Sequence, residues 1–400
     1  MKACWPMNRA SRALVVIVPL LFALPILSGC ELDGYPDDLE YPMRSDPLAV
    51  EKPKEDAPAY DLPGEFPKEL FVGLPEQQRK DVLLDIADVS QDQRRELNGE
   101  LIKIFGSPAH PTAKVGELEK TLKLDEETLK EGSTVYRQQC LHCHGLSGDG
   151  RGATAPWVNP HPRDYRQGIF KFTSSGQEEG RRKPRREDII RTLREGIEGT
   201  SMPSFRLLAD EDLEALASYV VHLSLRGELE YQVLRALKKQ EAEPKMEDNV
   251  KAYLELVTGN WQAAQTSLIQ PGKFAQMNEK DLRESAKRGF GLFSRPSPVG
   301  NLKSAGCLGC HTDFGRRSAH KYDAWGTIVK PTDLTNGILR GGRRPIDLYW
   351  RIHSGINGVT MPASSQNLSA DEIWDIVNFL KVLPFPKMLK EYGIELEQAK

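Results

Sequence analysis

Two short strings, Cys140-Leu141-His142-Cys143-His144 and Cys307-Leu308-Gly309-Cys310-His311, concentrate the reactive side chains of this chain. Each sets two thiols three positions apart and a histidine directly after the second. On a tight turn running into a helix, such thiols reach the two vinyl groups of one porphyrin, and the imidazole points at its iron from the same side. Zinc and a redox dithiol are the competing chemistries for Cys-x-x-Cys. A Cys₄ zinc site would leave both adjacent histidines unexplained and would join pairs 164 positions apart. A dithiol needs no histidine and does not recur in tandem. The spacing therefore predicts two covalent haem attachment sites, through Cys140, Cys143, Cys307 and Cys310, with His144 and His311 as iron ligands.

An iron held from one side needs a ligand on the other. Of eight methionines, only Met202 and Met361 recur at matching points, 58 and 50 residues after the two histidines. They close the strings Gly196-Ile197-Glu198-Gly199-Thr200-Ser201-Met202-Pro203 and Gly355-Ile356-Asn357-Gly358-Val359-Thr360-Met361-Pro362. Glycines let such a loop lie flat against a planar group, and the proline fixes its exit. His110, His161, His222, His320 and His353 have no repeat counterpart and read as surface residues or neighbours of the sites. His/Met ligation fills both axial positions and raises the potential relative to bis-His. That ligand set argues for electron transfer before catalysis.

These strings must be positioned by a duplicated frame. Segments of about 120–227 and 280–388 each hold a helical lead-in, the attachment string, a Pro-x-Asp step, the methionine string and a closing amphipathic helix. The Pro-x-Asp steps are Pro162-Arg163-Asp164-Tyr165 and Pro331-Thr332-Asp333-Leu334. Between the copies, 228–279 reads as one or two linking helices, and 389–400 as a tail. Ahead of them, 75–119 reads as a helical lead-in, with Val82, Leu83, Ile86, Leu97, Leu101 and Ile104 at three- and four-residue steps over Pro75 to Phe105. The stretch 30–74 is acidic and proline-rich and predicts a spacer.

The N-terminus carries Lys2, Arg9 and Arg12 before an apolar run of about 14 residues, Ala13 to Ile26, too short to span a bilayer. It ends in Leu27-Ser28-Gly29-Cys30, which resembles a bacterial lipobox and implies a signal peptide over 1–29 and lipid attachment at Cys30. The expectation is a chain tethered on the periplasmic side of a bacterial membrane. With Cys4 in the leader, all six cysteines are accounted for without a disulfide. Formal net charge is −3, so no overall field points to nucleic acid.

The repeats resemble class I c-type cytochromes. Gly132 and Tyr136 match that family's Gly-x-x-x-aromatic helix contact, and His144-Gly145-Leu146-Ser147-Gly148-Asp149-Gly150 its glycine-rich loop. Ser369 and Glu372 form a capping box ahead of the second closing helix. The resemblance implies a mainly α fold of two tandem class I cytochrome c domains joined by a helical linker. It also implies two haem c groups, and a proline carbonyl that orients each axial histidine; for the first copy Pro156 and Pro162 are both open. Copy two departs in two places. Thirteen residues, rather than three, separate Phe293 from Cys307, and the loop after His311 shrinks to Thr312-Asp313-Phe314-Gly315. The Gly168-Ile169-Phe170-Lys171-Phe172 string and the proline-rich lead-in look like membrane-anchored cytochromes of bacteria such as planctomycetes.

The resulting expectation is an electron carrier, not an enzyme, working between a membrane respiratory complex and another redox protein. The alternatives are a haem subunit of a terminal oxidase or quinol-oxidising complex and, less favoured, a dihaem peroxidase or thiosulfate dehydrogenase. The basic run Arg181-Arg182-Lys183-Pro184-Arg185-Arg186 reads as a solvated loop, with docking to an acidic partner or pairing with haem propionates as its functional reading. Arg340, Arg343 and Arg344 raise the same question.

Overall fold

The computed structural model describes residues 34–45, 48–49, 83–84, 86–177, 181–239, 241–272, 277–323 and 328–399. Cys30, the leader and most of the expected spacer lie outside the described residues. The fold is mainly helical, as expected. Its strands are two-residue antiparallel pairs, β1 (Leu48–Ala49) with β2 (Leu83–Leu84) and β3 (Lys321–Tyr322) with β4 (Ile328–Val329).

The lead-in helix is shorter than its periodicity suggested. α1 (Gln91–Phe105) starts at Ser90, whose hydroxyl accepts from the Gln93 N–H while the Gln93 side chain reaches back to the Ser90 N–H. That capping box fixes the start, so Leu83 falls in β2 and Ile86 in a 3₁₀ turn. Leu97, Leu101 and Phe105 form its buried stripe.

α2 (Glu117–Leu122) leads into α3 (Glu126–Gln139), capped by the Asp125 carboxylate on the Thr128 N–H. α4 (Leu141–His144) is the first attachment turn, and α5 (Arg186–Glu195) precedes the first methionine loop. α6 (Asp210–Lys239) runs 30 residues without a break, and α7 (Met246–Thr266) folds back on it. The second copy supplies α8 (Glu279–Ser294), α9 (Pro345–Ser354), α10 (Ala370–Val382) and α11 (Pro386–Tyr392).

Each repeat is organised by one helix crossing, α3 on α6 and α8 on α10. Gly132 and Gly289 sit at those crossings. A Cβ added to either would collide with a backbone carbonyl oxygen of the facing helix, that of Ala215 or Asp375. Only a residue without a side chain lets the helices approach this closely. The aromatic one turn on, Tyr136 or Phe293, is buried beside the crossing.

Buried apolar side chains gather into two clusters, one per repeat. The first does not stop at 227, where the sequence placed a domain edge. Leu229, Val233, Leu234, Val250, Val257 and Trp261 all belong to it. The closing helix and the expected linker are one helix because nothing between Leu223 and Leu237 breaks helix formation except Gly227, which packs against Arg166.

Residues 34–45 also depart from the spacer expectation. Tyr41 is buried with its hydroxyl 2.9 Å from that of Tyr219 and 3.1 Å from Nε2 of His222, and the Arg44 N–H donates to Glu230 at 2.6 Å. His222, expected at the surface or beside one of the sites, is fully buried in this contact.

Candidate haem sites

The attachment turns are built alike. The Cys140 carbonyl accepts from the N–H groups of Cys143 (3.1 Å) and His144 (2.8 Å), and the Cys307 carbonyl from those of Cys310 (3.2 Å) and His311 (2.8 Å). Positions i, i+3 and i+4 of a helical turn share one face, so each pair of thiols and its imidazole are presented together. None of the four cysteines is in a disulfide. Burial pushes the Cys140 and Cys307 thiols up to about 12. Among the described residues no three His, Cys, Asp or Glu side chains converge as a metal site. The two cysteine pairs therefore do not assemble the zinc alternative.

Both histidines are oriented by a backbone carbonyl. Nδ1 of His144 lies 3.1 Å from the Arg163 carbonyl oxygen, and Nδ1 of His311 lies 3.2 Å from that of Thr332. A carbonyl can only accept, so Nδ1 carries the proton and Nε2 keeps its lone pair. Burial drives the His144 imidazole down to about 4 and lowers His311 as well, against the opposing pull of these hydrogen bonds. Each imidazole is therefore neutral and ligand-competent at neutral pH.

Neither Pro156 nor Pro162 supplies the carbonyl, contrary to what the resemblance implied; the residue after Pro162 does. The Pro-x-Asp steps explain why. In both, the aspartate carboxylate accepts a backbone N–H two residues on, Asp164 from Arg166 and Asp333 from Thr335, each at 2.9 Å. This turn, entered through a fixed proline φ, swings the middle residue's carbonyl towards the histidine. Tyr165 then stacks on the His144 ring at 4.8 Å and 21°.

The two methionine loops share one backbone. α5 and α9 end at Gly196 and Gly355 with φ near +70°, a left-handed exit that suits glycine. The carbonyls of Met202 and Met361 accept from Ile197 and Ile356, both at 3.1 Å. Ile197 and Ile356 in turn accept from Thr200 and Val359. Both methionines are half-buried, each against the apolar cluster of its own repeat. A matched pair of aspartates supports the helices that launch these loops. Asp188 and Asp347 each stand eight residues before the loop glycine and accept the backbone N–H of Arg185 or Arg344. The shared Arg-x-x-Asp spacing was the available signal.

Copy two differs where its sequence departs. The stretch after α8 turns at Val299 and Leu302 and returns to place the Ala305 N–H on the Leu292 carbonyl at 2.9 Å. Phe314 is buried in a left-handed turn, with its ring 5.8 Å from that of Phe293.

The basic run is not solvated throughout: Arg181 is exposed, but its middle is not. Arg182, Lys183 and Arg186 are buried. Lys183 pairs with Glu228 at 2.5 Å, and Arg186 donates to Glu214, Ser218 and the Leu122 carbonyl. These partners lie tens of residues away, out of reach of local sequence reading.

Residues 127–220 and 300–380 match the family model described as cytochrome C oxidase, cbb3-type, subunit III. A search of solved structures returns a chain of the Kuenenia stuttgartiensis reducing HAO-like protein complex Kustc0457/Kustc0458. It is 24% identical over 64% of this chain and 96% of that one, with a TM-score of 0.44. The comparison with curated proteins gives no match.

Proposed function

We infer, from a chain whose segments 127–220 and 300–380 are c-type cytochrome domains, that it carries electrons through two covalently bound haems, one per repeat. The residues fit the group: in each repeat two thiols and a neutral imidazole share one face of a turn. The observation that carries the reading is that both repeats hold a carbonyl-oriented histidine and a methionine loop of the same backbone. His144 with Met202 and His311 with Met361 would hold the two irons, and Cys140, Cys143, Cys307 and Cys310 would form the thioethers. A haem bound there supplies an iron that alternates between Fe(II) and Fe(III) without forming a bond to substrate.

The chain's own part is positional. Arg163 and Thr332 hold the imidazoles in one tautomer, so little rearrangement accompanies a change of charge. Met202 and Met361 each pack against the apolar cluster of their own repeat, and thioether ligation there would favour a raised potential. Lipid attachment at Cys30, on the periplasmic side of a bacterial membrane, is the proposed tether. The proposed partners are a membrane respiratory complex and a second redox protein.

The test is haem content with an absorption spectrum. Two haems per chain, both giving the weak far-red Met–Fe(III) band, support the reading. High-spin iron or peroxide turnover would sink it. The name of the matched family model favours one second reading, a haem subunit of an oxidase complex. No described helix is long and apolar enough to cross a membrane. Co-purification with an oxidase in detergent would support the subunit reading over a free carrier.

A further inference from the structure

Contacts between the two repeats include Arg191 of α5 with Asp347 and Trp350 of α9, and others fall on the segments that carry the proposed ligands. Arg182, from the first repeat, reaches the second methionine loop twice. Its guanidinium donates through Nη1 to the Ser354 carbonyl, at the last position of α9. Its own backbone carbonyl accepts from Nδ2 of Asn357 at 3.0 Å, inside the Gly355–Gly358 turn. Both residues are buried, Arg182 at 4% and Asn357 at 5% exposed. The last carbonyls of a helix lack intrahelical donors and carry its negative dipole end, so a buried cation there is well matched.

The reverse contact reaches the first histidine. Asp323, from the second repeat, has a fully buried side chain. It lies 2.9 Å from Nζ of Lys171 and 3.8 Å from Nη1 of Arg163. Arg163 is the residue whose carbonyl accepts from His144. A third contact, Arg343 with Glu198 of the first methionine loop, is about half exposed on both sides. An exposed pair of that kind contributes little, so the buried contacts decide.

We propose that each repeat positions one axial ligand of the other: Arg182 holds the loop of Met361, and Asp323 holds, through Arg163, the carbonyl that orients His144. Arg182 and Asp323 are positioning residues, since each acts through another residue of the opposite repeat. The two sites are then tuned as a pair, and a change on one repeat is read at the iron of the other. This rests on the dihaem His/Met reading above.

The experiment is a redox titration resolving the two haems, with absorption spectra and imidazole binding, on the full chain carrying R182Q or D323N. R182Q should weaken the far-red band and shift the potential of the second haem alone. It should also tighten imidazole binding there roughly tenfold, since the displaced loop loses buried hydrogen bonds. D323N should shift the potential of the first haem alone. Wild-type values at both haems, or equal shifts at both, would overturn the proposal, because a merely structural role has no reason to select the haem of the other repeat. If R182Q does not fold, D323N carries the same test from the opposite side. A wild type lacking the far-red band refutes methionine ligation, while the crossed pattern of potential shifts still decides the positioning.

Discussion

Met202 and Met361 carry the sharpest expectation at the level of single residues. If each closes one iron, Met202→Ala removes one far-red band and Met361→Ala the other, and the double variant loses both. A band that survives in a single variant at full intensity argues that the methionine is not the ligand. The shared backbone of the two methionine loops was legible because their strings repeat in order. The carbonyls of Arg163 and Thr332 were not, because any residue has one, and only the flanking Pro and Asp mark the turn that aims it. Lys183 and Arg186 were misread for a related reason. A buried cation and a solvated one look the same until Glu228 and Glu214 are brought beside them.

At the level of helices, the crossing glycines were legible as Gly-x-x-x-aromatic, and the structure supplies the cause. Gly132→Ala puts a methyl group into the Ala215 carbonyl, which neither helix can yield without moving. A loss of about 1–3 kcal/mol or more is expected by chemical denaturation. An unchanged midpoint would mean that the crossing is looser than described. Both halves of α6 were legible as helix, the first as the closing helix and the second as a linker. Their continuity was not, since the amphipathic pattern of Leu213, Leu216 and Val220 gives way to burial on nearly every side.

That all-round burial has a consequence for pH. Burial, aided by Arg226, pushes His222 down to about 3. In an unfolded chain its value is near 6.5, so between those limits the unfolded state binds the extra proton. Stability should therefore fall as pH is lowered from about 6.5 towards 3, by a total on the order of 5 kcal/mol from this residue. Thermal melts of wild type and His222→Gln across that window check it. The variant should start lower, having lost the contact with Tyr41, but should show the shallower decline with acid.

For the whole molecule, the duplicated layout was readable while the edges of the first repeat were not. A helix continuing past its domain's closing turn leaves no breaker to mark the place, and residues 34–45 look solvated until Tyr41 and Arg44 are seen inside. A chain truncated after residue 227 would keep every proposed ligand of the first haem. It would nevertheless lose Leu229, Val233, Leu234 and Trp261, all essentially inaccessible to solvent. At about 1.5–3 kcal/mol for each such side chain, that removes roughly 6–12 kcal/mol, comparable with the 5–15 kcal/mol by which a domain is stable at all. It would also strip Lys183 of Glu228, leaving a buried cation without that carboxylate. The truncated chain should therefore fail to show a cooperative melt by circular dichroism and should be cut rapidly by protease. A chain ending near residue 270 keeps α6 and α7 together and should retain a cooperative transition. Equal melting of the two would mean that the first repeat ends where its sequence pattern does, and that the helix beyond 227 only connects.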